Sequence, residues 1–165
     1  MARLQLDSLD CRILEMLASN SRVPFLEIAR ECGVSGAAIH QRIQKLHALG
    51  AIRSFQTLIN PEVLGYDTCA YIGFYLNNPG DSDIVVEKLR EIPEVVECHY
   101  TTGRHDLLIK IYARNNAHLH SIIHDRISPI GAGRTETLIS FKEDFNRQIP
   151  IVDVSGQDTT TTTEG

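Results

Sequence analysis

Cysteine is sparse and scattered: Cys11, Cys32, Cys69 and Cys98 stand singly along 165 residues, with no CxxC spacing. That pattern argues against a cysteine zinc site and gives no disulfide framework, so the four are expected to be reduced and mostly buried. No apolar run approaches the roughly 18 to 20 residues that cross a bilayer, and the start MARLQLDSLD lacks a signal peptide's apolar core. A cytoplasmic protein with no membrane partner is the expectation. GxGxxG and GxxxxGK loops are absent, and no serine, cysteine or carboxylate pair stands in a recognisable nucleophile setting. The sequence therefore offers no catalytic residue, and no cofactor is expected. Positive charge is scarce as well: residues 1–60 carry seven Lys/Arg against five Asp/Glu, and residues 61–165 carry nine against sixteen. Only the front part tolerates a polyanion, and one copy should bind nucleic acid poorly unless a dimer or larger assembly collects enough phosphate contacts.

What is present is a spacing pattern between Phe25 and Leu49, FLEIARECGVSGAAIHQRIQKLHAL. It reads as two short helices joined at Gly33, a residue free to take φ > 0, with Ser35 able to cap the second helix. Ile39, Ile43, Leu46 and Leu49 then form one apolar stripe. The opposite face carries Ala37, His40, Gln41, Gln44 and, toward one edge, Lys45. Gln41 and Gln44 suit adenine edges, His40 a guanine or a phosphate, and Lys45 the DNA backbone. Arg42 lies near the edge of the stripe and is expected to form a structural ion pair with an acid of the first helix.

That first helix is expected from Ser8 to Ser19, with Asp7 as cap, Asp10 in the capping-box position, and Leu9, Ile13, Leu14 and Leu17 buried. Pro24 suits the first turn of the second helix, which runs to Cys32, and Gly50 caps the third. Beyond it, AIRSFQTLIN alternates like a strand, which suggests a wing with Arg53 facing a phosphate or simply solvent. The expected organisation is a DNA-binding domain over 1–60, a linker over 61–68, a second domain over 69–150 and a tail over 151–165. From Ser155 the tail has nothing to bury and should be disordered.

The second domain reads as strand Cys69–Leu76, helix Ser82–Ile92, strands Val95–Thr102 and Asp106–Ala113, helix Asn116–Ile127 and strand Arg134–Phe141. This βαββαβ order packs two helices on one face of an antiparallel sheet, so the fold class is α+β. The other face, expected to hold Tyr71, Gly73 and Tyr75 with Thr135, Thr137, Ile139 and Phe141 or their neighbours, is too apolar for full exposure. A second copy packed face to face, a homodimer, is the simplest cover. His118, His120 and His124 lie on one helix, but no acidic or cysteine partner at fixed spacing completes a metal site, and none is expected.

These residues carry a resemblance. The chain resembles the Lrp/AsnC (leucine-responsive, feast/famine) transcriptional regulators over residues 6 to about 145. Its front signature is Leu6-Asp7, Asp10, Ile13-Leu14, Asn20-Ser21-Arg22, Ile28-Ala29, Gly33-Val34-Ser35, Arg42-Ile43, Leu46, Gly50 and Ile52. The later one is Val96, Cys98, Thr102-Gly103, Asp106 and Arg134-Thr135. The resemblance implies a winged helix-turn-helix on operator DNA, followed by a βαββαβ ferredoxin-like domain that forms dimers and assembles them into an octamer. It also implies a small-molecule effector, typically an amino acid, held where dimers meet.

The DNA-reading positions are then Ser35, Gly36, Ala37, His40, Gln41, Gln44, Lys45 and Arg53. The effector positions are Thr102, Gly103, Arg104, His105 and Asp106, with Asn116 and with Glu136, Thr137 and Leu138. His105 replaces the family's usual aromatic residue before the loop aspartate, and Glu136 stands where an apolar one is common, so this pocket should be more polar. An alternative keeps the same scaffold as a tetrapyrrole-binding decarboxylase of haem metabolism, which seven histidines leave open. A pure protein-interaction module is a third reading and predicts no salt-dependent DNA affinity.

Overall fold

A computed structural model describes residues 6–151. The chain divides into two compact units: one holds the residues up to Leu58 together with the segment from Asn146, the other is Ile59–Phe145.

In the first unit, α1 (Ser8–Ser19) begins in a full capping box: Asp10 N–H donates to the Asp7 carboxylate, and the Asp10 carboxylate accepts from Asp7 N–H. Helix α2 (Phe25–Cys32) follows Pro24 and ends at Gly33, whose φ of 66° is the left-handed turn that the spacing demanded. Ser35 caps α3 (Gly36–Ala48) by accepting from Ala38 N–H. The helices share a core of Ile13, Leu17, Val23, Ile28, Ala29, Ile39, Ile43, Leu46 and Ile52. The apolar stripe of α3 stops at Leu46, since Leu49 is exposed.

The expected wing strand is not there. Residues 53–60 form no strand: an alternating sequence becomes a ladder only when its backbone bonds a neighbour's, and among the described residues the one sheet does not include them.

The second unit is a four-stranded antiparallel sheet in the order β2-β3-β1-β4, where β1 is Thr68–Leu76, β2 Val95–Tyr100, β3 Leu107–Ala113 and β4 Gly133–Ser140. Two helices cross over it, α4 (Ser82–Arg90) and α5 (Asn116–Ile122), which is the βαββαβ arrangement. Helix α4 stops two residues short of the expected Ile92, which is nevertheless buried. Helix α5 is regular only to Ile122 and continues through one wide turn, Ile123–Ile127. The core joins Ala70, Ile72 and Phe74 of β1 to Leu107, Ile109 and Ile111 of β3 and to Val85, Leu89, Leu119 and Ile122 of the helices.

The register of β4 decides between the two sets of residues that alternation left open. Ala70 faces Ile139, Ile72 faces Thr137 and Phe74 faces Thr135. Directly opposed residues share a face, so these three point to the helix side. The open face instead carries Arg134, Glu136 and Leu138 beside Tyr75, Gly73 and Tyr71. The four cysteines form no disulfide, but only Cys11 is buried; Cys32 and Cys69 are half-buried and Cys98 is exposed. The expected disordered tail from Ser155 lies outside the described residues.

Candidate functional site

Helix α3 separates anchoring residues from presenting ones. Ile39, Ile43 and Leu46 are buried, while Ala37, His40, Gln41, Gln44 and Lys45 face solvent. Gly36 opens the helix hard against α2: a Cβ there would stand 3.0 Å from Leu26 Cδ2, so the first turn sits close to its neighbour. Arg53 is exposed in the segment that follows. Arg42 is the structural residue that its position suggested. Its Nη1 donates to the Asp10 carboxylate at 2.9 Å and also to that of Asp7, fastening α3 to the start of α1. The Arg42 hydrogen bond holds the Asp7 carboxyl below its usual range, and the two acids hold Arg42 above its own.

In the second unit the loop between β2 and β3 meets the open face of the sheet at the end of β1. Thr101 closes the loop, donating its N–H to Asp106 O at 3.0 Å and its hydroxyl to His105 O at 2.5 Å. Gly103, at φ 108°, makes the turn in a conformation that disfavours side chains. His105 then folds back over the sheet. Its ring covers Gly73, where a Cβ would meet it at 2.5 Å, and its Nε2–H donates to Glu136 Oε2 at 3.0 Å. Arg104 donates from Nε to the Tyr75 hydroxyl at 2.7 Å and pairs with Glu136 at 3.3 Å. Tyr75 in turn donates to Glu136 at 3.2 Å, touches the His105 ring edge-on and carries the Arg134 guanidinium over its face.

The hydrogen bond from His105, then the Arg104 charge and the Tyr75 hydroxyl, outweigh desolvation and hold the Glu136 carboxyl below its usual range. Asp106 points elsewhere: its carboxylate accepts from Leu76 N–H at 2.8 Å, and its N–H donates to Phe74 O.

Of the expected effector residues, one chain therefore joins Arg104, His105 and Glu136 directly, with Asp106 beside them. Thr102 and Gly103 are exposed in the same loop, and Leu138 follows on the open face. Thr137 is on the helix side of β4. Asn116 approaches Thr68, at the opposite end of β1 from the loop. Sequence reasoning missed Tyr75 and Arg134 as members of the cluster. The alternation of β1 had put Tyr75 on the open face, but the partner across from it depended on a register that local pattern does not contain.

Farther along that face Lys110 is buried beneath Tyr71 and Tyr112, with Glu143 at 3.1 Å and Glu97 at 3.7 Å. Burial opposes its charge, but Glu143 and the two tyrosines outweigh it and raise its pKa. On α5 and the turn after it the histidine rings 120 and 124 stack at 6.1 Å, while the His118 ring accepts from Arg114 N–H. No group of three metal-ligating side chains occurs among the described residues.

Comparison with known proteins bears on both units. Residues 6–47 match the AsnC-type helix-turn-helix domain and residues 69–148 the Lrp/AsnC ligand-binding domain. The regulatory protein AsnC of Haemophilus influenzae is 39% identical over 145 residues, which is 87% of this chain and 97% of that protein. The chain belongs to the Lrp/AsnC family.

The solved structure of Escherichia coli AsnC agrees, with a TM-score of 0.82 at 35% identity over 88% of this chain and 99% of its own. A feast or famine regulatory protein from M. tuberculosis, solved with L-methionine, shares the fold at a TM-score of 0.83 and 24% identity, over 89% of this chain and 99% of that one. This Lrp/AsnC protein is thus a transcriptional regulator with a DNA-binding helix-turn-helix, as its curated relatives are named. Those names do not favour the decarboxylase alternative. No helix among the described residues is long and apolar enough to cross a membrane.

Proposed function

We propose that this Lrp/AsnC regulator reads double-stranded operator DNA with α3 in the major groove and adjusts its assembly or its DNA affinity to an amino acid. The observation that carries the reading is the division of α3, whose buried side is anchored by Ile39, Ile43, Leu46 and Arg42 while Ala37, His40, Gln41, Gln44 and Lys45 stay exposed. Gln41 and Gln44 contact base edges, Ser35, Gly36 and Ala37 lie close to the DNA at the start of the helix, and Lys45 and Arg53 hold phosphates. A cytoplasmic location follows from that work.

The effector is held around Thr102–Asp106 and Glu136, with Thr137 and Leu138 on the same strand. In one chain Asn116 stands at the other end of the sheet, so its part in the site requires another copy. The exposed or half-buried apolar groups of the open face, with Tyr71, Tyr75 and Leu138 among them, support a face-to-face homodimer. Dimers associating into an octamer would set the spacing of several recognition helices along DNA, which is how a bound ligand acts at a distance.

The test joins a thermal-shift screen of the twenty amino acids with gel shifts on duplexes selected from a random library. A ligand that binds the native state raises the melting temperature and alters the gel-shift pattern. Selection of no preferred duplex, or a ligand that stabilises the protein without altering DNA binding or assembly, contradicts the reading.

A further inference from the structure

We propose that His40 is a positioning residue for Gln44, fixing its amide so that α3 reads adenine at the Gln44 position. The proposal rests on α3 being the DNA-reading helix and goes beyond it in naming what fixes the choice of adenine. His40 and Gln44 lie one turn apart on the exposed face, where side chains four residues apart are neighbours. Gln44 Nε2 lies 3.1 Å from His40 Nε2. A neutral imidazole accepts at one nitrogen only, so with Nε2 accepting from Gln44, Nδ1 carries the hydrogen.

The imidazole is itself seated: its ring lies 6.1 Å from the ring of Phe25 at the start of α2, tilted by 49°. Phe25 belongs to the neighbouring helix, so the pair is referenced to the body of the domain as well as to α3.

An amide has two N–H donors and one carbonyl acceptor. With one N–H committed to His40, Gln44 presents one donor and one acceptor outward. Adenine offers the complement in the major groove, an N7 acceptor beside an N6–H donor, whereas guanine offers two acceptors there. Rotating the amide by half a turn would exchange donor and acceptor, and the bond to Nε2 opposes that rotation. Gln41, equally exposed, has no such partner among the described residues and must be ordered on binding. Ordering a flexible side chain costs a factor of about three to ten in affinity, and His40 removes much of that cost for Gln44 before DNA arrives.

The full-length protein and its H40A, H40Q and Q44A variants are each used to select from a randomised duplex library at pH 8, and base preference is read position by position. The Q44A selection defines the base pair that Gln44 reads. H40A should lower adenine preference at that same position by about three- to tenfold and leave the others intact, which also shows that the helix is folded. H40Q, whose carbonyl can accept the same N–H, should retain more of the preference than H40A. Loss at a different position would make His40 a base reader in its own right and overturn the proposal. So would equal loss on selected and random DNA, or no change at all. If the wild type selects no sequence, the DNA-reading assignment of α3 fails instead.

Discussion

Replacing Gly73 by alanine probes the cluster at its base. A Cβ at this position would lie 2.5 Å from His105 Cδ2 and Cγ and 2.7 Å from Nδ1, where ordinary contacts begin near 3.4 Å. The ring must therefore retreat by about 1 Å. A dangling side chain would do so at little cost, but this ring is pinned by the 3.0 Å bond to Glu136 and by its edge contact with Tyr75. A retreat of that size lengthens the bond past useful geometry. Overpacking by one methyl group costs about 1–3 kcal/mol, and because the site is only half-buried the lower end, about 1–2 kcal/mol, is expected.

In a domain of 60–100 residues each kcal/mol lowers the melting temperature by about 4–8 °C, so G73A should melt roughly 5–15 °C lower by calorimetry. The pH dependence has a definite sign. Glu136 has a depressed pKa in the folded chain, so its contribution is present above about pH 4.3 and fades as pH falls through the lower folded value. Wild type and G73A should then converge in acid. G73A should also lose the melting shift given by whichever amino acid stabilises the wild type. A variant that melts with the wild type at pH 7 and keeps its ligand response would refute the account of His105.

Other outcomes follow from the same geometry. R42A leaves the buried Asp10 carboxylate without its cation and should destabilise the first unit by about 2–4 kcal/mol in urea titrations, less than a fully buried pair because Arg42 is partly exposed. D7A, which loses the cap as well as an ion pair, should cost about 1 kcal/mol by the same assay, and a larger loss than R42A would reverse their ranking. D106A should lower stability because Leu76 N–H loses its acceptor, whereas D106N keeps an acceptor and should melt near the wild type while responding less to an amino acid. If D106N responds fully, the negative charge of Asp106 plays no part in holding the ligand. K45A should weaken selected and random duplexes alike and reduce the salt slope by about one, while Q41A should lose about 1–3 kcal/mol on the selected duplex alone.

The first unit was legible because its signals are local. Asp7 with Asp10, Gly33, Ser35 and the steps from Ile39 to Leu46 each act within a few residues, and even the Arg42 ion pair followed from its place at the edge of a stripe. The family resemblance brought attention to Thr102–Asp106, but not to how the loop is held. Tyr75 and Arg134 join the cluster through the β1–β4 register, and a one-residue change of register exchanges the faces of a strand. The same gap left open whether Thr135, Thr137 and Ile139 or their neighbours face outward. Asp106 reads from sequence as a ligand carboxylate or as one that bonds N–H groups of its own turn, and only the folded sheet brings the distant Leu76 N–H to it. The segment 53–60 looked like a strand because alternation records which residues would share a face, not whether a neighbour exists.

The two-sided construction of α3 has a consequence for how such regulators diverge. The core contacts and the Arg42 ion pairs that fix the helix in place lie on its inner side and edge, whereas the side chains of Ala37, Gln41 and Lys45 form no hydrogen bond or ion pair among the described residues. On the proposed reading, substitutions at Ala37 and Gln41 alter which bases are read, and those at Lys45 how tightly DNA is held, at little expense in folding. After gene duplication, one copy can therefore drift to a new set of promoters while its architecture stays intact. Engineered variants with altered targets should be sought first at Ala37 and Gln41.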